Sequence, residues 1–237
     1  MKTIGVLGGL GPQATMDFEA RVHRAAQRLL PPKFNSGYPP MVVLYVRHPA
    51  PLLDDSGAPL RPPRPDPRLL KVAKALGLMA DFLVIASNSV HLFQADIEAA
   101  SGRKVLSMID VALEEVRRRS WRRVGVLGYG DPVVYTARMD GLGLGFEVAA
   151  PSTRAALDAA IVRLIEGRDD SSLEGRDVAS PDAAHAAVQE LRAKRVDGII
   201  LGCTEIPLLL RDDAEAQDLL NPAQFLAEAA VRAAIST

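Results

Sequence analysis

Cysteine occurs once in the 237 residues, at Cys203. A lone thiol excludes an internal disulfide and any cysteine-built metal cluster, and it fits a reducing compartment, so the cytoplasm is the expected location. An excess of either charge is missing too: 28 basic residues face 29 acidic ones, and no Lys/Arg block is dense enough to follow a phosphate backbone. Nucleic acid is therefore not an expected partner. Five arginines fall between positions 117 and 123, but Arg117, Arg118 and Arg119 close an apolar-periodic stretch and read as the solvated end of a helix. No run approaches the roughly 20 apolar residues of a membrane-spanning helix. The glycine-broken opening Met1-Lys2-Thr3-Ile4-Gly5 lacks the apolar core of a secretory leader, so neither membrane nor export is expected. His23, His48, His91 and His185 show no metal-ligand spacing, and no metal is expected.

What the chain does contain is the composition of a folded globule, 48% apolar and 24% charged. Short apolar runs bounded by glycine or polar residues alternate with longer helical stretches, the pattern of an α/β protein with mainly parallel sheet. Strands are expected at 3–7, 41–46, 82–86, 104–108, 123–127, 146–149 and 198–202. Helices are expected at 15–30, 67–79, 89–100, 111–119, 133–142, 153–166, 181–194 and 222–235.

The chain also echoes itself. Ile4-Gly5-Val6-Leu7-Gly8 returns 120 places later as Val124-Gly125-Val126-Leu127-Gly128, each followed within four residues by a proline, Pro12 or Pro132, suited to opening a helix. The run from Asp81 to Ser89 returns as Asp197 to Glu205, which sets Cys203 116 places after Ser87. Two similar α/β halves follow, with expected extents of 1–113 plus 217–237 and 114–216. Ligands of open α/β sheets bind beyond the carboxyl ends of the strands, so two facing halves would enclose one site in a cleft, with Ser87 and Cys203 on opposite sides of it. Residues 47–67 hold seven prolines and no period, and they leave the second strand on the ligand side. That stretch is either a disordered excursion or, the reading we favour, a lid.

Cys203 ends an apolar strand and precedes a short helical segment, whose positive end would lower a thiol pKa from about 8.5 toward neutrality. Free cysteine is also a common small core residue. The echo with Ser87 and the flanking Thr204 and Glu205 favour function. Gly8-Gly9-Leu10-Gly11-Pro12 with Ala14-Thr15, the stretch from Asn88 to His91, Ile109-Asp110, and above all Gly202-Cys203-Thr204-Glu205-Ile206-Pro207 together resemble the aspartate/glutamate racemase family.

The resemblance implies two α/β domains related by pseudo-twofold symmetry, no pyridoxal phosphate, no other cofactor and no metal, and a homodimer. It also implies a small amino acid or related carboxylate as substrate, with two cysteines flanking its α-carbon, one removing the proton and the other returning one. In this chain the first cysteine position is Ser87, whose hydroxyl is no base near neutral pH unless a neighbour takes its proton. His91, one helical turn on, is a candidate neighbour, though capping or packing is its commoner role. Ser87 is open to four readings: a racemase with one competent face, a single-thiol decarboxylase of the arylmalonate type, an engineered replacement, or an amino-acid binder without catalysis. Substrate carboxylates would meet the amides of the loop carrying Gly9, Leu10 and Gly11, and Asn88, Ser89, Thr204 and Glu205 at helix starts. Arg47, at the end of the second strand, and Arg168, where many relatives carry a lysine, are candidates for a side-chain carboxylate. Two departures blur the substrate: Arg47-His48-Pro49 replaces an asparagine-proline turn, and Asn221-Pro222 a late aspartate-proline.

Two other chemistries fit poorly. Gly9, Gly11 and Ala14 have dinucleotide-fingerprint spacing, yet the second strand runs into Val46-Arg47-His48 with no acid for a ribose. Ser87 lies in Ala-Ser-Asn-Ser-Val, without the small residues on both sides that a serine hydrolase's nucleophile elbow needs.

Overall fold

The computed structural model describes residues 1–168 and 180–236. The chain divides into two compact units, Met1–Val111 with Ala223–Thr237, and Ala112–Pro222. Unit 1 opens with β1 (Ile4–Gly8), α1 (Pro12–Leu29), β2 (Met41–Tyr45) and α2 (Pro67–Gly77). It continues through β3 (Phe82–Ile85), a 3-10 turn (Ser89–Phe93), α3 (Gln94–Ser101), β4 (Val105–Leu106) and the start of α4 (Met108–Arg118). Unit 2 carries β5 (Arg123–Leu127), α5 (Val133–Gly141), β6 (Gly145–Val148), α6 (Pro151–Ile165) and α7 (Ser180–Ala193). β7 (Gly198–Leu201), α8 (Ile206–Leu210), a 3-10 turn (Arg211–Glu215) and β8 (Leu219–Leu220) complete it, and α9 (Pro222–Ile235) returns to unit 1.

Each unit holds one four-stranded sheet, wholly parallel, in the order β2-β1-β3-β4 or β6-β5-β7-β8. The orders are the same once numbering is shifted, and so are the central registers: Leu7 pairs with Ile85, and Leu127 with Leu201. The internal echo is thus a repeat of structure. Burial on both faces explains why the central strands read as unbroken apolar runs: every residue of β1 and of β7 is buried. Alternation sorts side chains between faces. Ile4, Val6 and Val84 pack with Phe18 and Val22 of α1 and Leu226 and Val231 of α9, while Leu7, Leu83 and Ile85 pack with Leu69 and Leu76 of α2. In unit 2, Leu127, Ile199 and Leu201 pack with Leu157 and Ile161 of α6 and Val188 and Leu191 of α7.

The expected strands form, and β8 adds one too short to show a period. Element ends move for local reasons. α1 and α6 begin at Pro12 and Pro151, earlier than expected, because proline suits the first helical turn. β4 is shorter than 104–108, because His91 Nε2 takes the Met108 N–H (3.0 Å) and Ser107 Oγ that of Asp110 (3.2 Å), opening α4 there. The expected helix 89–100 is a 3-10 turn followed by α3, since Phe93 leaves helical geometry (φ −106°, ψ 18°). Asp66 caps α2 by accepting the Arg68 N–H (2.7 Å), and the Arg68 guanidinium holds its carboxyl down to about 2. Between β2 and α2 the proline-rich stretch is an antiparallel arm. Leu52 N–H donates to Arg64 O, Leu60 N–H to Leu52 O and Asp66 N–H to Ala50 O, with Ala50 and Asp66 buried at its root.

Candidate active site

The chemistry-bearing residues stand at the carboxyl ends of the two sheets. In unit 1, Ala86 N–H donates to Leu7 O (3.0 Å), and the chain turns at Ser87. In unit 2, Gly202 N–H donates to Leu127 O (2.7 Å), and the chain turns at Cys203. Ser87 and Cys203 therefore hold equivalent places, each one residue beyond the last bond to the neighbouring strand. Ser87 is buried and Cys203 half-buried.

Around Ser87 the glycine loop follows β1. Gly9 has φ +82°, and a Cβ there would lie 2.7 Å from the N and O of Val46, so only glycine lets the loop pass the end of β2. Thr15, fully buried, staples the loop from α1: its Oγ1 accepts the Gly9 N–H (2.9 Å) and donates to Gly11 O (3.0 Å). The Gly9 amide is thereby engaged within the protein, which leaves the Leu10 and Gly11 amides as the loop's donors. Asn88 is buried and Ser89 exposed at the start of the 3-10 turn; the Asn88 side chain makes no capping bond to it. Arg47, exposed, lies over the Tyr45 ring (4.8 Å to its centroid), and Tyr45 Oη donates to Glu19 (3.0 Å).

His91 is not placed as a base for the Ser87 hydroxyl. With Nε2 accepting from Met108, the ring proton sits on Nδ1, which donates to the main-chain oxygen of Ser87 (2.8 Å) and approaches that of Asn88 (3.2 Å). Its role is to fasten the Ser87 turn to the start of α4.

Around Cys203 the setting is acidic. Cys203 Sγ donates to Glu205 Oε2 (3.1 Å), and Thr204 Oγ1 donates to the same oxygen (3.1 Å). Glu205 is 2% exposed, and its Oε1 has no partner among the described residues. Asp158 of α6 receives the Gly130 N–H (2.9 Å) and also acts on Cys203. The thiol is pushed well above its usual range, first by burial, then by the negative charge of Glu205, with a smaller contribution from Asp158. This reverses the expected lowering: α8 has only five residues, and its dipole does not offset lost hydration and two nearby carboxylates. Burial likewise raises the Glu205 carboxyl, against the bonds from Cys203 and Thr204 that lower it. Arg168 pairs with Glu166 (3.1 Å), its side chain 72% exposed. Among the described residues no three His, Cys, Asp or Glu side chains gather as a metal would require.

Residues 7–230 match the family model described as Asp/Glu/Hydantoin racemase. The chain belongs to that family. An aspartate racemase homologue from Pyrococcus horikoshii OT3 superposes with a TM-score of 0.73 at 21% identity, over 100% of both chains. The Picrophilus torridus aspartate racemase gives 0.72 at 17%, over 99% of this chain and 94% of that one. A double-mutant arylmalonate decarboxylase with ligand bound gives 0.50 at 16%, over 99% and 93%. At these identities the likeness is one of fold.

In this racemase-family chain three supports went unread in the sequence. Thr15 drew notice only as part of a motif, although a threonine three places after a helix-opening proline is well set to reach back to the loop. Asp158 and the Glu19–Tyr45 pair gave no local signal, because their partners lie 28 and 26 residues away.

Proposed function

We propose that the protein is a cofactor-independent racemase of the aspartate/glutamate type that moves a proton at the α-carbon of a small, acidic amino acid. The observation that carries this reading is the Cys203–Glu205 contact of 3.1 Å at a strand end. A thiol held as SH is poised to donate a proton to an α-carbanion. The base role needs the thiolate, and Glu205, whose own affinity for a proton is raised by burial, is placed to take the thiol proton first. Cys203 is thus the acid/base on one face of the α-carbon, and Ser87 occupies the place of the second thiol. The substrate carboxylates meet the Leu10 and Gly11 amides and the polar groups of Asn88, Ser89 and Thr204, with Arg47 receiving the side-chain carboxylate. Arg168 is the weaker candidate for that last role, because a carboxylate already pairs with it. The protein works in the cytoplasm as a homodimer.

The test is loss of the α-proton signal of each enantiomer of aspartate and glutamate in heavy water. Exchange is expected from one enantiomer, reduced at least ~100-fold in Cys203→Ala, the lower bound for losing a positioned acid/base. Ser87→Cys is expected to make exchange two-sided. Absence of exchange in both the parent protein and Ser87→Cys removes the acidic amino acid as substrate. The single thiol favours one second reading, a decarboxylase that protonates an enediolate from Cys203 alone. Carbon dioxide release from a disubstituted malonate, without α-proton exchange of amino acids, would select it.

A further inference from the structure

We propose that the turn between α4 and β5 is a binding site for a small organic phosphate with a flat apolar body. It lies at the amino end of the sheet whose carboxyl end carries Cys203, and it is independent of the racemase reading. A surface pocket of about 300 Å³ is lined there by Arg117, Ser120, Trp121, Arg122, Leu142 and Leu144. Its volume is at the small end of ligand pockets.

The polar side of the pocket is cationic. Several neighbouring carboxylates are already engaged: Glu115 holds Arg118 and Arg119 (2.6 Å each), and Glu147 holds Arg123 (2.7 Å). Asp197 accepts the main-chain N–H groups of Arg122 and Arg123 (2.6 and 2.8 Å). The exposed guanidiniums of Arg117 and Arg122 have no acidic partner among the described residues. Nor are they needed to close the helix ends. Ser120 and Trp121 N–H cap the last carbonyls of α4, and Leu142, Gly143 and Leu144 N–H those of α5. Two unengaged guanidiniums beside one pocket suit a phosphate, which accepts several charge-assisted bonds.

The apolar side is built on Trp121. Trp121 fits against Gly198, the first residue of β7: its Cζ2 and Cη2 lie 2.2 Å from where a Cβ would be, so a larger residue would displace the ring. The Arg119 guanidinium lies over that ring at 5.0 Å. Unit 1 has Phe82 at the register position of Gly198. At that register position only unit 2 has a glycine, and the indole packs on it. A planar group can lie along the indole edge, against Leu142 and Leu144, while its phosphate meets the two arginines.

Trp121 is the only tryptophan in the chain, so its emission reports on this pocket alone. Phenyl phosphate is titrated into the full protein at 0.15 M salt, with calorimetry run in parallel in case the indole is spectroscopically silent. Inorganic phosphate and an Arg117→Ala/Arg122→Ala double variant are the comparisons. Saturable binding of phenyl phosphate is expected, at least ~10-fold weaker for inorganic phosphate and at least ~10-fold weaker in the double variant, the effect of losing a charge-assisted bond. Both arginines are exposed, and an unchanged circular dichroism spectrum checks that the variant folds. No saturable binding by either method, equal affinity for inorganic phosphate, or full binding by the double variant would each overturn the proposal.

Discussion

At the scale of single residues, the Cys203 thiol and the buried Glu205 carboxylate compete for one proton. Burial disfavours the charged form of either group, and the negative charge of Glu205 further disfavours the thiolate. The consequence is measurable without knowing the substrate. Alkylation by iodoacetamide requires the thiolate, so the rate at Cys203 should rise with pH through an inflection above that of free cysteine measured alongside. Glu205→Gln removes the nearest negative charge and should move that inflection down. An inflection at or below that of free cysteine would contradict the balance of forces read here. His91 makes the complementary point. Four residues after Ser87 it looks like a base, yet both its nitrogens are committed to main-chain groups.

At the scale of elements, the matching strand-end loops of the two sheets are tied down differently. The loop after β1 is stapled by the helix that follows it, through Thr15, whereas the loop after β5 is tied by Asp158 from α6, the next helix but one. Thr15→Val keeps shape but leaves the buried Gly9 N–H unsatisfied, at an expected cost of about 1–3 kcal/mol in urea unfolding. Thr15→Ser keeps the hydroxyl and loses only a methyl packed near Gly8, so it should cost less than the valine variant. The opposite ranking would mean that packing, not the staple, holds the loop.

At the scale of the whole molecule, unit 2 is an uninterrupted stretch and unit 1 is not: α9 crosses back to cover its sheet. Ala223, Leu226, Ala227, Ala230, Val231 and Ala234 of α9 are almost wholly buried in the same cluster as Ile4, Val6 and Val84. Leu226→Ala should therefore cost about 2–5 kcal/mol, a large share of the 5–15 kcal/mol that stabilises a typical domain. Hydrogen exchange should quicken first in β1 to β4, with β5 to β8 less affected. Equal quickening in both sheets would show that the two units open as one.

Periodicity and local chemistry decided much of this in the sequence alone. Unbroken apolar runs marked the buried strands, the echo marked the repeat, and the motif from Gly202 to Pro207 marked the family. Each is a property of adjacent or regularly spaced residues, written along the chain itself. Tertiary structure decided whatever depends on residues brought together from afar or taken out of water. It committed His91 to Met108, tied Asp158 to Gly130, engaged the Gly9 amide and raised the Cys203 thiol where a helix start would have lowered it. A thiol's proton affinity follows from the solvent and charges around it, and folding alone sets which charges those are.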